Sequence, residues 1–244
     1  MKVVVCGAAG RMGKAILGAL IDWAEDVTLG AKLEMGESIK EGMSKGQVVI
    51  DFTSPEGTIA ILKEAVSQKK PIVIGTTGFT AEEKKKIVFA SKKIPIVLSP
   101  NMSVGVNVVF KLLSSAASVL NDNYDVEIME MHHRQKKDAP SGTALRMGEA
   151  IAQARGTTLK EVGRFDRNGI IGVRPKGQIG IQSLRGGDVV GDHTVIFEGA
   201  GERVEITHRA HSRQNFARGA LFAAGWVVNQ KPGLYDMMDV LNLK

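Results

Sequence analysis

A single cysteine, two tryptophans and two tyrosines are the scarce residues of this 244-residue chain, and the cysteine excludes most. With Cys6 alone, no intrachain disulfide and no cysteine-built zinc cluster can form. No stretch approaches the ~20 apolar residues that cross a bilayer. The N-terminus lacks a secretory layout, because Lys2 is followed by a short apolar run and then a glycine-rich turn. Zinc-finger spacing, aromatic-basic RNA-binding patterns, internal repeats and low-complexity tracts are also missing. The expectation is a cytoplasmic enzyme with neither a membrane nor a nucleic acid as partner.

The composition is otherwise that of a globular protein, 43% hydrophobic and 24% charged, with length enough for one large or two modest domains. The net charge of +6 suits phosphate and carboxylate ligands as well as nucleic acid. The densest basic runs, Lys84 to Lys86 and Lys92-Lys93, share a predicted helix with Glu82 and Glu83, as a solvated face would.

Residues 2–6 (Lys-Val-Val-Val-Cys) have the continuous apolar character of a strand buried on both faces. They run into Gly7-Ala8-Ala9-Gly10-Arg11-Met12-Gly13, then a helix from about Gly10 to Glu25, then a strand from Val27 to Leu33 ending at Glu34. Gly7 permits a tight turn, Gly10 lets the backbone approach a pyrophosphate, and Gly13 lets helix and sheet pack closely. Glu34 follows Gly13 by 21 positions, close to the ~20 at which a carboxylate meets adenosine ribose hydroxyls. The arrangement points to a nicotinamide dinucleotide. A carboxylate at Glu34 repels a 2′-phosphate, and Met35 rather than arginine follows it, so NADH is expected, with some use of NADPH.

Strands at Gln47–Phe52, Pro71–Gly75 and Ile94–Leu98 extend the alternation, with helix starts at Ser54-Pro55 and at Thr80 with Glu83. The loops after two of these strands, holding Gly75, Thr76 and Thr77 and Ser99, Pro100, Asn101 and Met102, leave from carboxyl ends and are candidates to line the nicotinamide.

An apolar helix from Val104 to Asn121 leads to an alternating strand from Asp125 to Met131, and then to His132-His133-Arg134-Gln135-Lys136. Adjacent strand residues point to opposite faces, so both histidines serve one pocket only if the strand ends there. Ser141-Gly142-Thr143 opens a further helix, whose N-terminus can receive an anion. A substrate bearing carboxylates fits this segment. Beyond Gly156, strands are expected at Gly177–Leu184, Val189–Phe197 and Arg203–His211, with Arg185 to Asp188 as a turn, and a last helix at Gln214–Val228 returning to the first domain.

The run from Glu127 to Ala144 resembles the dihydrodipicolinate reductase family almost residue for residue. Gly7 to Gly13, Asp51-Phe52-Thr53, Gly75 to Phe79 and Ser99 to Gly105 are similar to it as well. The resemblance implies an α/β fold: a Rossmann-type doubly wound parallel sheet from residues 1–103 and 214–244, and a smaller α+β domain with a mixed sheet, residues 104–213, that binds substrate and makes a tetramer. It implies NAD(P)H-dependent reduction of 4-hydroxy-tetrahydrodipicolinate. It gives His132 the acid-base role, Lys136 a proton-donating or substrate-binding role, and the substrate carboxylates to His133, Gly142 and Thr143. Gly7, Ala8, Ala9, Gly10, Arg11, Met12, Gly13, Glu34, Gly75 to Thr77 and Ser99 to Met102 would hold the cofactor, and no metal is expected. The segment between Glu34 and Gln47 is short beside the family's, which bears on cofactor preference.

A semialdehyde dehydrogenase is excluded because its nucleophile would have to be Cys6, inside the first strand. An amino-acid dehydrogenase, or a dinucleotide sensor without catalysis, stays open on the residues alone; a sensor would have no use for His132, His133 and Lys136 together.

Overall fold

The computed structural model describes residues 1–23 and 27–244, which form two compact units: Met1–Val104 with Arg213–Lys244, and Gly105–Ser212. In the first unit the order is β1 (Lys2–Cys6), α1 (Arg11–Ile21), β2 (Thr28–Leu33), α2 (Ile39–Ser44), β3 (Val48–Asp51), α3 (Pro55–Ser67), β4 (Ile72–Ile74), α4 (Ala81–Ser91) and β5 (Pro95–Leu98). The helix expected to Glu25 ends at Ile21, and Glu25 itself lies outside the described residues. The second unit contains most of α5 (Val104–Leu120), then β6 (Asp125–His132), α6 (Gly142–Ala154), α7 (Leu159–Val162), β7 (Gly163–Arg164), β8 (Ile179–Arg185), β9 (Gly191–Gly199) and β10 (Glu202–Ala210). The chain then rejoins the first unit with α8 (Gln214–Val227), β11 (Gly233–Tyr235) and α9 (Met237–Val240).

The first sheet has six strands in the order β11-β5-β4-β3-β1-β2, all parallel. Both faces are covered, as parallel sheets require. Val3 and Val5 of β1 pack with Ile16 and Ala19 of α1 and with Ala217, Ala220 and Leu221 of α8. Val4 and Cys6 point the other way, into a core shared with Met43 of α2, Ile61 and Leu62 of α3, and Ile87 of α4. The expected helix starts are present: Ser54 caps α3 with Pro55 in its first turn, and Thr80 with Glu83 forms a capping box on α4. Three short elements of this unit, α2, β11 and α9, escape the sequence pattern. The helix over 214–227 is not the last element, and β11 adds a sixth strand beside β5. Three residues are too few to show a period.

The second sheet is mixed, in the order β10-β9-β6-β8-β7. β9 runs antiparallel to both β6 and β10, while β8 is parallel to β6 and β7. One face carries Val126, Ile128, Ile179, Ile181, Val195 and Phe197, closed by α5 and α6. By length and composition alone, the helical stretch Val104–Asn123 could cross a membrane, contrary to the expectation from the sequence. Its Val106, Val109, Phe110 and Leu113 are instead buried in this core.

Candidate active site

The glycine turn follows β1 where the strand order reverses, since β2 lies on one side of β1 and β3 on the other. Such a switch point opens a crevice at the carboxyl ends of the strands. Gly7 takes φ +72°, a conformation that favours glycine, and its N–H donates to the Leu33 carbonyl at 2.9 Å. A side chain at Gly13 would place its Cβ 2.6 Å from the Ala8 carbonyl oxygen, so α1 sits against the turn as closely as a glycine allows. No side chain caps α1, whose N-cap is Gly10. Its first-turn amides and dipole are directed at the turn, as an anion site needs. Glu34 follows β2, and its carboxylate accepts the Ala9 N–H, which places the acid beside the turn.

Behind this turn lies a group that the spacing did not single out. Asp51 ends β3 fully buried and accepts hydrogen bonds from the Thr53 N–H (3.0 Å), the Thr53 hydroxyl (2.7 Å) and the Thr58 hydroxyl, with Thr76 at 3.4 Å. Burial pushes its carboxyl above the usual range, against the pull of those hydrogen bonds. One carboxylate thus ties the loop after β3 to Thr76 in the loop after β4. The Ser99 hydroxyl donates to the Asn101 carbonyl (2.9 Å), and the Asn101 side chain accepts the Ser103 N–H (2.9 Å), which shapes the loop after β5. Met102 differs from the expectation in one respect. The residue is 1% exposed and belongs to the core, with its carbonyl packed against Gly219 of α8.

In the second unit, burial along β6 alternates, with Val126, Ile128, Glu130 and His132 inward. The inner face is apolar over its first half and ionisable over its last. His132 is the final residue of the strand and His133 leaves it, which is the break that lets both approach one pocket. His133 is half-buried, with its N–H on the Val189 carbonyl at 2.8 Å. Glu130, 1% exposed, accepts from His132 Nδ1 at 2.6 Å, from the two terminal nitrogens of Arg185 at 2.8 and 2.7 Å, and from the Ser141 N–H at 3.1 Å. Burial alone would raise its carboxyl; the hydrogen bonds from His132, Arg185 and Ser183 outweigh it and hold the group ionised, well below the usual carboxylate range.

His193 of β9 stands opposite Glu130 in the register, its ring edge-on to His132 with centroids 5.1 Å apart. Burial, and then the proximity of His132, pull His193 down to about 3, so it is neutral near pH 7. Its Nε2 is 3.0 Å from the Ser141 hydroxyl, which accepts the Ala144 N–H at 3.1 Å as the N-cap of α6. Gly142 and Thr143 form the first turn of α6, Gly142 exposed and Thr143 half-buried. Lys136, on the same segment, has its ammonium 2.9 Å from both Asp138 oxygens.

Sequence reasoning singled out His132, His133, Lys136 and the α6 start, and passed over Glu130, Arg185 and His193, which the structure brings against His132 and Ser141. Arg185 was expected in a turn, but it ends β8 and reaches across to Glu130. The period of two along β6 was the available signal for Glu130, since it puts residues 130 and 132 on one face. Nothing in the local sequence announces Arg185 or His193, which arrive through strand pairing. Gly191 belongs with them: a Cβ there would lie 2.9 Å from His132 Nε2.

Comparison with known proteins divides the chain near residue 104 as well, although the second match runs on through most of the segment that returns to the first unit. Residues 1–102 match the family described as dihydrodipicolinate reductase, N-terminus, and residues 105–241 match dihydrodipicolinate reductase, C-terminus. Over the whole chain it is 50% identical to the 4-hydroxy-tetrahydrodipicolinate reductases of Geotalea uraniireducens and Syntrophus aciditrophicus, covering 100% and 99% of those proteins. Among solved structures, the dipicolinate-bound dihydrodipicolinate reductase of Paenisporosarcina sp. TG-14 superposes with a TM-score of 0.78 at 25% identity, covering 98% of each chain. A probable dehydrogenase of Thermotoga maritima shares the fold, with a TM-score of 0.62 at 13% identity over 100% of this chain and 93% of that one.

Proposed function

This chain belongs to the dihydrodipicolinate reductase family, and we propose that its first unit holds the nicotinamide cofactor while its second unit binds the substrate and supplies the proton. The chemistry is reduction of 4-hydroxy-tetrahydrodipicolinate, by way of its dehydrated form, to tetrahydrodipicolinate with loss of water, on the diaminopimelate route to lysine. The family's cofactor is a pyridine nucleotide, which when bound supplies the hydride.

The residues at the switch point fit such a group. The uncapped α1 start and Gly7 to Gly13 receive the pyrophosphate, with Glu34 placed for the adenosine ribose. Gly75 to Thr77 and Ser99 to Met102 line the nicotinamide end of the same crevice, and Glu34 followed by Met35 favours NADH. A ratio of kcat/KM strongly favouring NADPH would overturn that preference.

The observation that carries the substrate assignment is His132, hydrogen-bonded through Nδ1 at the polar end of a buried face, with Lys136 and the α6 start on the segment that follows. An imidazole there delivers the proton that completes reduction, since histidine exchanges protons near neutral pH. Lys136 exchanges the Asp138 carboxylate for one of the substrate's and stabilises negative charge as it develops. His133 and the Gly142 and Thr143 amides take the substrate carboxylates. The exposed Met129 and Leu184, on the outer face of the second sheet, support assembly into a homotetramer, which light scattering on the purified protein would test.

His132→Ala and Lys136→Ala are each expected to lower turnover by a factor on the order of 10² or more while leaving dinucleotide binding nearly intact. Substrate-dependent NADH oxidation and a fluorescence titration of the cofactor measure the two quantities. Turnover at the level of the unaltered enzyme in either variant would sink the assignment.

A further inference from the structure

We propose that Glu130 is a positioning residue for this reaction: its buried carboxylate fixes the tautomer and orientation of His132 and joins that histidine to the segment that receives the substrate. The inference rests on the acid-base role of His132 given above.

Glu130 is enclosed on all sides by donors. One oxygen faces His132 Nδ1 (2.6 Å) and an Arg185 terminal nitrogen (2.8 Å); the other faces the second Arg185 nitrogen (2.7 Å) and the Ser141 N–H (3.1 Å). An ionised carboxylate accepts only, so the proton on this edge of the imidazole belongs to Nδ1. Nε2 is then the atom left to exchange a proton, on the side where Gly191 leaves room for the ring. Arg185 supplies the countercharge that lets a carboxylate stay ionised while buried. It also donates to the Asp138 carbonyl at 2.8 Å, so the Glu130–Arg185 pair grips the segment after β6 at Asp138 and at Ser141. Ser141 is the N-cap of α6, so the same carboxylate sets the start of the helix whose amides meet the substrate. Three stretches distant in sequence, the ends of β6 and β8 and the start of α6, converge on one side chain.

Glutamine at this position has the same shape but carries two donors on one side. Its amide must turn its NH2 either toward His132 Nδ1, which forces the opposite tautomer, or toward Arg185, which opposes a cation. Removing the analogous carboxylate contact from a catalytic histidine elsewhere costs large factors through the wrong tautomer.

Glu130→Gln is therefore expected to lower kcat about 10²-fold or more, and to lower it no further in a His132→Ala background, because the two residues act as one unit. Nitrogen-15 NMR of the imidazole in the unaltered enzyme, at a pH where His132 is neutral, should show the Nδ1–H tautomer. If His132→Ala retains turnover, the reading of His132 fails, and the positioning role falls with it. If His132→Ala is inactive but Glu130→Gln keeps kcat within about threefold, His132 stands and the positioning role is overturned. An Nε2–H tautomer in the unaltered enzyme overturns it as well, and that measurement stands even where Glu130→Gln does not fold.

Discussion

The sharpest physical test of this structure is a matched pair of glycine substitutions on α8. Gly219 faces the loop after β5, where a Cβ would lie 2.8 Å from the Met102 carbonyl carbon and closer still to its oxygen. Carbon atoms rest at ~3.5–4.0 Å, so the carbon alone asks helix and loop to part by about 0.7 Å, and the nearer oxygen asks for more. The obstacle is backbone, which cannot rotate aside. Overpacking of this kind costs ~1–3 kcal/mol, against the ~1 kcal/mol that alanine gains over glycine inside a helix. The net loss is at most about 2 kcal/mol, and the clash with a backbone oxygen puts it toward that end, or up to ~8 °C in melting temperature for a protein of this size. Gly225 lies on the same helix, exposed, and a Cβ there would meet nothing within 4 Å. Only the helix term acts at that position, and Gly225→Ala should stabilise by ~0.4–1 kcal/mol. Differential scanning calorimetry of both variants measures the contrast. Shifts of the same sign and size would refute the argument, because propensity alone treats the two positions alike. Through Met102 and Asn101, Gly219→Ala is also expected to weaken dinucleotide binding, whereas Gly225→Ala is not.

Two further outcomes follow from buried ionisable groups. His193 is held neutral in the fold, its pKa pulled from 6.5 down to about 3, so between those values the unfolded chain binds the extra proton and stability falls as pH drops. Urea unfolding should therefore show a loss from pH 7 to pH 5 that His193→Gln reduces by about 1–2 kcal/mol; an unchanged difference would refute the assignment. Burial first, and then the charges of Asp51 and Glu34, push the Cys6 thiol up, so the native protein should resist aromatic disulfide reagents at pH 8 and release one thiol's worth of signal only in denaturant. Rapid labelling of the native state would contradict the burial of β1.

Much of the site was legible because its chemistry is local. The glycine turn, Glu34, the two helix starts at Ser54 and Thr80, and the run from His132 to Thr143 are each set by neighbours within a few residues, where backbone sterics and capping act. The period of two along β6 even placed His132 and His133 on opposite sides of a strand, which required the strand to end between them, as it does. Arg185 was misplaced for the opposite reason. Its Arg-Gly-Gly-Asp context has the composition of a turn, and only parallel pairing of β8 with β6 carries it to Glu130. β11 was missed because a three-residue edge strand has no pattern of its own and exists by pairing with β5.

The sequence by itself determined the glycine turn after β1, most of the alternating strands and helices around it, and the histidines and lysine that follow β6. Tertiary structure decided how those groups are held. Asp51 became a buried tie between loops, and Met102 turned its side chain into the core. Glu130, His193 and Arg185 met around His132 because three strands of one sheet bring them together. A burial pattern can say that a carboxylate faces inward; only the pairing of distant strands supplies the donors that let it remain charged there.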